Sequence, residues 1–234
     1  MKQQKNKNMK KIAFVASLAI IAFAVTAFIA PKVSTGGTAF EGVVTYSISV
    51  DNPQAATMTQ GSSMKVYLKG DKTKTMIDMG MSKQIMITDK KTPDDPIILL
   101  EIMGNKYQLK KDKIKKDEAK DPEINYGDET KQIAGYTCHK AQITVTDEQG
   151  QATTTDVYYT EALPAYEGKS GQFKGLKGFP LQYAIKQQGM NILMAATSVD
   201  KQSVSDDTFT VPSGYKLMTP EEMQADLQKS MGGN

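Results

Sequence analysis

"MKVYLKGDKTKTMIDMG", residues 64–80, is the stretch on which the fold turns. Met64, Val66 and Leu68 recur at every second position, Gly70-Asp71 is a turn pair, and Thr75, Ile77 and Met79 resume the same period. Successive side chains of a strand point to opposite faces, so this pattern predicts a hairpin with one apolar side.

Upstream, "VVTYSISV" (43–50) alternates Val44, Tyr46, Ile48 and Val50 with Thr45, Ser47 and Ser49, which predicts another half-buried strand. Downstream, "SKQIMITD" (82–89) and "PIILLEIMGNKYQLKK" (96–111) continue the series, the second broken by a tight turn at Gly104-Asn105. The charged run 111–123 reads as a solvated connector able to carry a short helix, closed by Pro122. Strands are expected at Tyr136–Thr146, Ala152–Thr160, Phe179–Lys186 and Asn191–Val199. In "TPEEMQADLQKSM" (219–231), Thr219 is an N-cap, Pro220 the first helical residue and Glu222 the other half of a capping box. Met223, Leu227 and Met231 form one apolar stripe on that helix.

Short connections and the lack of βαβ alternation indicate a mainly β chain, a single strongly curved antiparallel sheet with a short C-terminal helix. The expected domains are a leader over 1–30, a linker over 31–39, an antiparallel β domain over 40–218 and a helix with its tail over 219–234. The leader has a lysine-rich start and 19 uncharged residues from Ile12 to Ala30, with small-residue cleavage sites after Ala24 and Ala27. It reads as a signal peptide or, if uncleaved, as a membrane-anchoring helix; in both cases the body is exported to the periplasm or cell envelope.

All 29 basic residues are lysine, and six lie in the first 32 positions. The body from Val33 onward therefore carries 23 lysines against 26 carboxylates, a net charge of −3. That balance argues against nucleic acid as a partner.

Cys138 and His139 are the only cysteine and the only histidine. As neighbours on a strand they face opposite ways, and no second histidine can serve as base, so no catalytic dyad forms. The lone cysteine also excludes a disulfide framework. Both are expected to be packing residues, with the histidine partly buried. "EGKSGQ" (167–172) lacks the first glycine of a phosphate loop, because position 163 is leucine. The loop "GKSGQFKGLKG" exposes Phe173, Leu176 and Phe179 either as a mobile lid or as side chains tucked into the core. Asp94-Asp95 and Asp206-Asp207 read as turn residues.

Methionine is abundant: Met76, Met79, Met81 and Met86 lie close together, and Met103, Met190 and Met194 fall on later strands. Three readings stand: core filling, an adaptable apolar surface, or soft ligands for copper(I).

"FEGVVTYSISV", "MKVYLKGDKTKTMI", "IAGYTCHKAQITV", "GFPLQYAI" and "DDTFTVPSGYKLM" occur in this order. In that order they resemble an exported Bacteroidota family, domain of unknown function 4412, with some similarity to the GLPGLI family. The resemblance covers most of residues 40 to 218. It implies a fold like the LolA and LolB lipoprotein carriers, an unclosed half-barrel sheet around an apolar cavity covered by helices, and it carries over no catalytic residue. The chain has no arginine for the ligand-handling role that one has in LolA, so lipoprotein transport itself is not implied.

The expected function is a non-enzymatic envelope protein without a cofactor that holds a lipid or other hydrophobic ligand. Its expected lining is Met76, Met79, Met86, Met103, Phe173, Leu176, Phe179 and Met194. The alternatives are a structural or interaction module with a filled core and an extracytoplasmic copper(I) protein.

Overall fold

The computed structural model describes residues 40–52, 59–92, 95–110, 121–147, 150–165, 172–187 and 190–231. The leader, the linker, residues 111–120 of the charged run, the "EGKSG" segment and Asp94 lie outside the described residues. No helix among the described residues is long and apolar enough to cross a membrane.

The described residues build one twelve-stranded sheet. A first meander comprises β1 (Glu41–Val50), β2 (Ser63–Lys69), β3 (Lys72–Asp78), β4 (Ser82–Asp89), β5 (Ile97–Ile102) and β6 (Asn105–Leu109). A second comprises β7 (Glu123–Ile133), β8 (Tyr136–Thr146), β9 (Ala152–Thr160), β10 (Phe179–Gln187) and β11 (Met190–Lys201). The antiparallel pair β1–β11 joins the two, and β12 (Lys216–Met218) adds to the free side of β6 in parallel. Helix α1 (Pro220–Met231) follows.

This order forces curvature. Ten strand spacings of ~4.8 Å separate β6 from β7, about 48 Å if the sheet were flat. The thirteen residues between those strands span that distance only when pulled nearly straight. The sheet curls instead: β7 approaches β11 across three intervening strands, and Lys131 Nζ on β7 donates to Gln182 Oε1 on β10 at 2.9 Å.

The inner face carries the larger core. Val44, Tyr46, Met64, Val66 and Ile77 from the first meander merge with Ile143, Val157, Tyr183 and Met194 from the second. The sheet's outer face is apolar too, around Val43, Ile85, Ile87 and Leu99. Residues 202–215 cross that face as a strap, laying Val204, Phe209, Val211 and Tyr215 upon it. Val204 N donates to Glu41 Oε1 at 2.7 Å, Lys69 Nζ donates to the Val204 carbonyl at 2.8 Å and pairs with Asp206 at 3.1 Å, and Tyr215 donates to Glu101. Within the strap, Asp206–Phe209 forms a short 3-10 helix whose cap Ser205 accepts from Asp207 N.

The hairpin tip between β5 and β6 is Met103-Gly104, with φ of 50° and 85°, and Asn105 already pairs with Ile102. The expected turn at Gly104-Asn105 is therefore one residue late. Strand β7 was hidden in the sequence because it is polar along nearly its whole length. It is the long edge of the sheet, and its charges and a register irregularity between Tyr126 and Thr130 oppose pairing with another chain.

Cys138 and Ala141 are three positions apart on β8 yet share the inner core, so alternation slips between them. Irregularities in β7 and in β10, between Pro180 and Gln182, fall at this level of the sheet. His139, expected to be partly buried, is exposed, with its ring 6.1 Å from that of Tyr159. Burial pushes the Cys138 thiol up to about 11, against a smaller opposing effect of Lys131.

The capping box of α1 forms as expected: Glu222 N donates to Thr219 Oγ1 and Thr219 N to Glu222 Oε2. Met223 and Leu227 pack on Met86, Ile98, Leu100 and Tyr107 of the inner face. Tyr107 donates to Asp226 at 2.8 Å and Lys216 pairs with it at 3.2 Å, and these contacts hold the Asp226 carboxyl below its ordinary 3.8.

Three outcomes are expected. Replacing Phe209 by alanine should cost about 3 kcal/mol in urea unfolding by loosening the strap. Because the Asp226 value is depressed on folding, its contribution is present above pH 3.8 and lost as the pH falls through the lower folded value. Helical circular dichroism should then fall in acid earlier for Tyr107→Phe than for the parent. Iodoacetamide at pH 8 should leave native Cys138 unmodified and alkylate it fully after denaturation.

Candidate ligand-binding face

Strand register places the inner-face side chains in rows. One row runs Val44, Val66, Thr75, Met86, Ile98 across β1 to β5. The next runs Tyr46, Met64, Ile77, Gln84, Leu100, Tyr107 across β1 to β6. On the other side of the first, Leu68, Thr73 and Thr88 are aligned. No inward position in these rows carries a charge.

The face divides into two apolar clusters. The larger lies under the second meander and includes Met64, Val66 and Ile77. The smaller, centred on Met86, Ile98, Leu100, Ile102 and Tyr107, lies under α1. Where they meet, Ile77, Met79, Leu100 and Ile102, with Ser82, Lys83 and Gln84, line a cleft of about 10 Å³, room for one water. Beside it, Met81 and Met103 are 61% and 52% exposed, and Met103 N donates to the Met81 carbonyl at 3.1 Å. An apolar rim thus flanks a narrow opening.

Three buried tyrosine hydroxyls on this face have partners. Tyr46 donates to the Pro180 carbonyl at 2.7 Å, Tyr183 to the Met64 thioether at 3.8 Å, and Tyr107 to Asp226. Burial raises the pKa of Tyr46 and of Tyr183, and burial followed by the Asp226 bond pushes that of Tyr107 up to about 12. Thr73 and Thr75 differ. Each is 1% exposed, and neither Oγ1 has a hydrogen-bond partner among the described residues. An unsatisfied buried hydroxyl costs about 1–3 kcal/mol, which valine of the same shape would avoid.

Of the residues expected to line a cavity, Met79, Met86, Phe173, Leu176, Phe179 and Met194 all face inward. Met79 is in the cleft, and Met86 and Met194 belong to the two separate clusters. Met76 does not join them. One position off the Thr75–Ile77 parity, it turns outward and packs with Ile85, Ile87 and the strap. Met103 stands at the exposed hairpin tip rather than in a lining. The methionine-rich stretch is therefore divided between two faces and a rim.

The Phe173–Phe179 loop is tucked in. Phe173 meets Tyr183 edge to face with ring centroids 4.8 Å apart, and Leu176 and Phe179 are buried in the same core. Tyr126 fastens the loop to β7, donating to the Gly175 carbonyl and accepting from Lys177 N, both at 3.2 Å. At Gly178 the chain passes so near β9 that a Cβ would meet the Thr160 carbonyl at 2.4 Å.

Sequence reasoning placed Thr75 on the apolar side of its strand but did not single it out, and it missed Thr73, Leu100 and Ile102 as face residues. The threonines carried a signal, since they occupy inward positions of a period that is otherwise apolar. It also missed an outward polar network in which Lys140 bridges Glu129 at 3.3 Å and Asp156 at 2.8 Å while Tyr158 donates to Glu129. The bonds it donates to Asp156 and then Glu129 hold the Lys140 ammonium above its ordinary range. Among the described residues no three His, Cys, Asp or Glu side chains converge on a metal position.

No curated protein matches the chain. Among solved structures, the chain is similar to LprF from Mycobacterium bovis, at 10% identity over 75% of this chain and 90% of that one, with a TM-score of 0.29. Residues 40–215, which contain all eleven strands of both meanders, match the family model described as a domain of unknown function, DUF4412, and the chain belongs to that family.

Proposed function

We propose that this protein is an exported, non-enzymatic binding protein of the cell envelope that holds a lipid or other hydrophobic ligand against the inner face of its sheet. The observation that carries the proposal is the cleft between the two inner apolar clusters, lined mainly by apolar side chains with Lys83 as its one charged residue, and opening beside exposed methionines. Ligand sites are apolar concavities with few polar groups, and each methylene withdrawn from water contributes about 0.8 kcal/mol. Helix α1 packs on the smaller of the two clusters. That helix is held by Met223 and Leu227, by the part-buried Tyr107–Asp226 hydrogen bond and by exposed ion pairs, the last being weak attachments compared with the strand ladder. A half-barrel like that of LolA and LolB, as the sequence resemblance implies, suits this arrangement.

One observation favours a second reading, a structural module with no ligand. Phe173, Leu176 and Phe179 fill the part of the inner face that a lid would leave open.

Native mass spectrometry of the full chain, purified from membranes and periplasm without detergent, separates the two. A discrete adduct of lipid mass is expected, together with fluorescence from added diphenylhexatriene, a hydrocarbon probe that emits in apolar surroundings. A bare protein mass and a dark probe would transfer the proposal to the structural module.

A further inference from the structure

Thr73 and Thr75 stand at adjacent inward positions of β3 within the uncharged inner face. Thr75 is flanked by Val66 and Met86, and Thr73 by Leu68 and Thr88. Ile77, two residues further along the same side of the strand, lines the cleft. The two hydroxyls therefore lie beyond the cleft, in line with it, at roughly 7 and 14 Å along the strand from Ile77. They are buried, they have no hydrogen-bond partner among the described residues, and an apolar core would be served better by valine. Such a pair is suited to donate to an acceptor brought in with a ligand.

We infer that Thr73 and Thr75 form a polar subsite for the carbonyl of an acyl ester whose hydrocarbon chain lies on the surrounding apolar rows. This rests on the ligand-binding reading above and narrows it. The acceptor is neutral, because inward positions of β1 to β6 supply no cation to neutralise a carboxylate or phosphate: the side chains of Lys65, Lys72 and Lys74 belong to the opposite strand face, and the ammonium of Lys83, at the cleft, is paired with Asp78 and Glu101. Buried charge without a partner is disfavoured far more than a buried ester.

The experiment uses the full chain with two probes, diphenylhexatriene, which has no polar atom, and monoolein, an uncharged acyl ester. Diphenylhexatriene affinity is read by fluorescence and monoolein affinity by displacement of that signal. In Thr73→Val/Thr75→Val, diphenylhexatriene should bind within about twofold of the parent while displacement needs about tenfold more monoolein. Thr73→Ser/Thr75→Ser, which keeps both hydroxyls, should restore monoolein binding. Thermal unfolding of the valine variant should be no lower than that of the parent, since the hydroxyls it removes are unsatisfied in the free protein. Equal monoolein affinity in the parent and the valine variant would overturn the subsite and leave the hydrophobic-ligand reading intact. A parent chain that takes up neither probe would overturn both.

Discussion

The short link between β6 and β7 is the constraint from which the rest of the architecture follows. Thirteen residues join strands that lie ten spacings apart in one sheet, a distance they cover only when nearly straight, and the sheet bends, bringing β7 back toward β10 and β11. Bending creates an inner face where side chains from both meanders share one core, and it leaves an outer face stretched over β1 to β6 that would otherwise meet water. The strap 202–215 covers that outer surface, and β12 and α1 finish the β6 edge where the strap ends. Curvature, strap and terminal helix are thus consecutive answers to one problem of length.

Much of this was legible because period-two alternation is a local property. β8 and β9 have the boundaries that alternation gives, and β1 to β4 differ from it by a residue or two at most. The capping box at Thr219 was equally plain, since its partners are three residues apart. What stayed hidden depends on partners distant in sequence. β7 is polar on both sides and becomes a strand through its ladder with β8, not through its own composition. The outer core had a visible sign in the unbroken apolar runs "IMI" and "IILL", which are typical of strands buried on both faces. Its cover, "VSDDTFTVPSGY", resembles an ordinary loop until the sheet beneath it is known.

The candidate site was legible in the same uneven way. Inward methionines and aromatics of the expected lining face the core because parity placed them there. Met76 turned outward for the same reason, so grouping methionines by proximity in sequence was a weaker guide than counting alternate positions. The threonines of β3 were visible as letters but not as an anomaly. Only the register, which sets Thr75 between Val66 and Met86, shows that the hydroxyl interrupts an apolar row.

The pairing of β1 with β11 has a kinetic side. Residues nearly 150 positions apart, such as Ser47 and Ala195, must find each other before the two meanders become one sheet. Each meander is made of local hairpins that form quickly, whereas this seam closes a loop containing most of the chain. Until it closes, β1 is an open edge on one half and β11 on the other, both ready to accept a foreign strand. A chain that crosses a membrane unfolded, N-terminus first, would expose the β1 edge for as long as β11 is still in transit. The seam is thus the place where delay, and with it misassembly, would be concentrated.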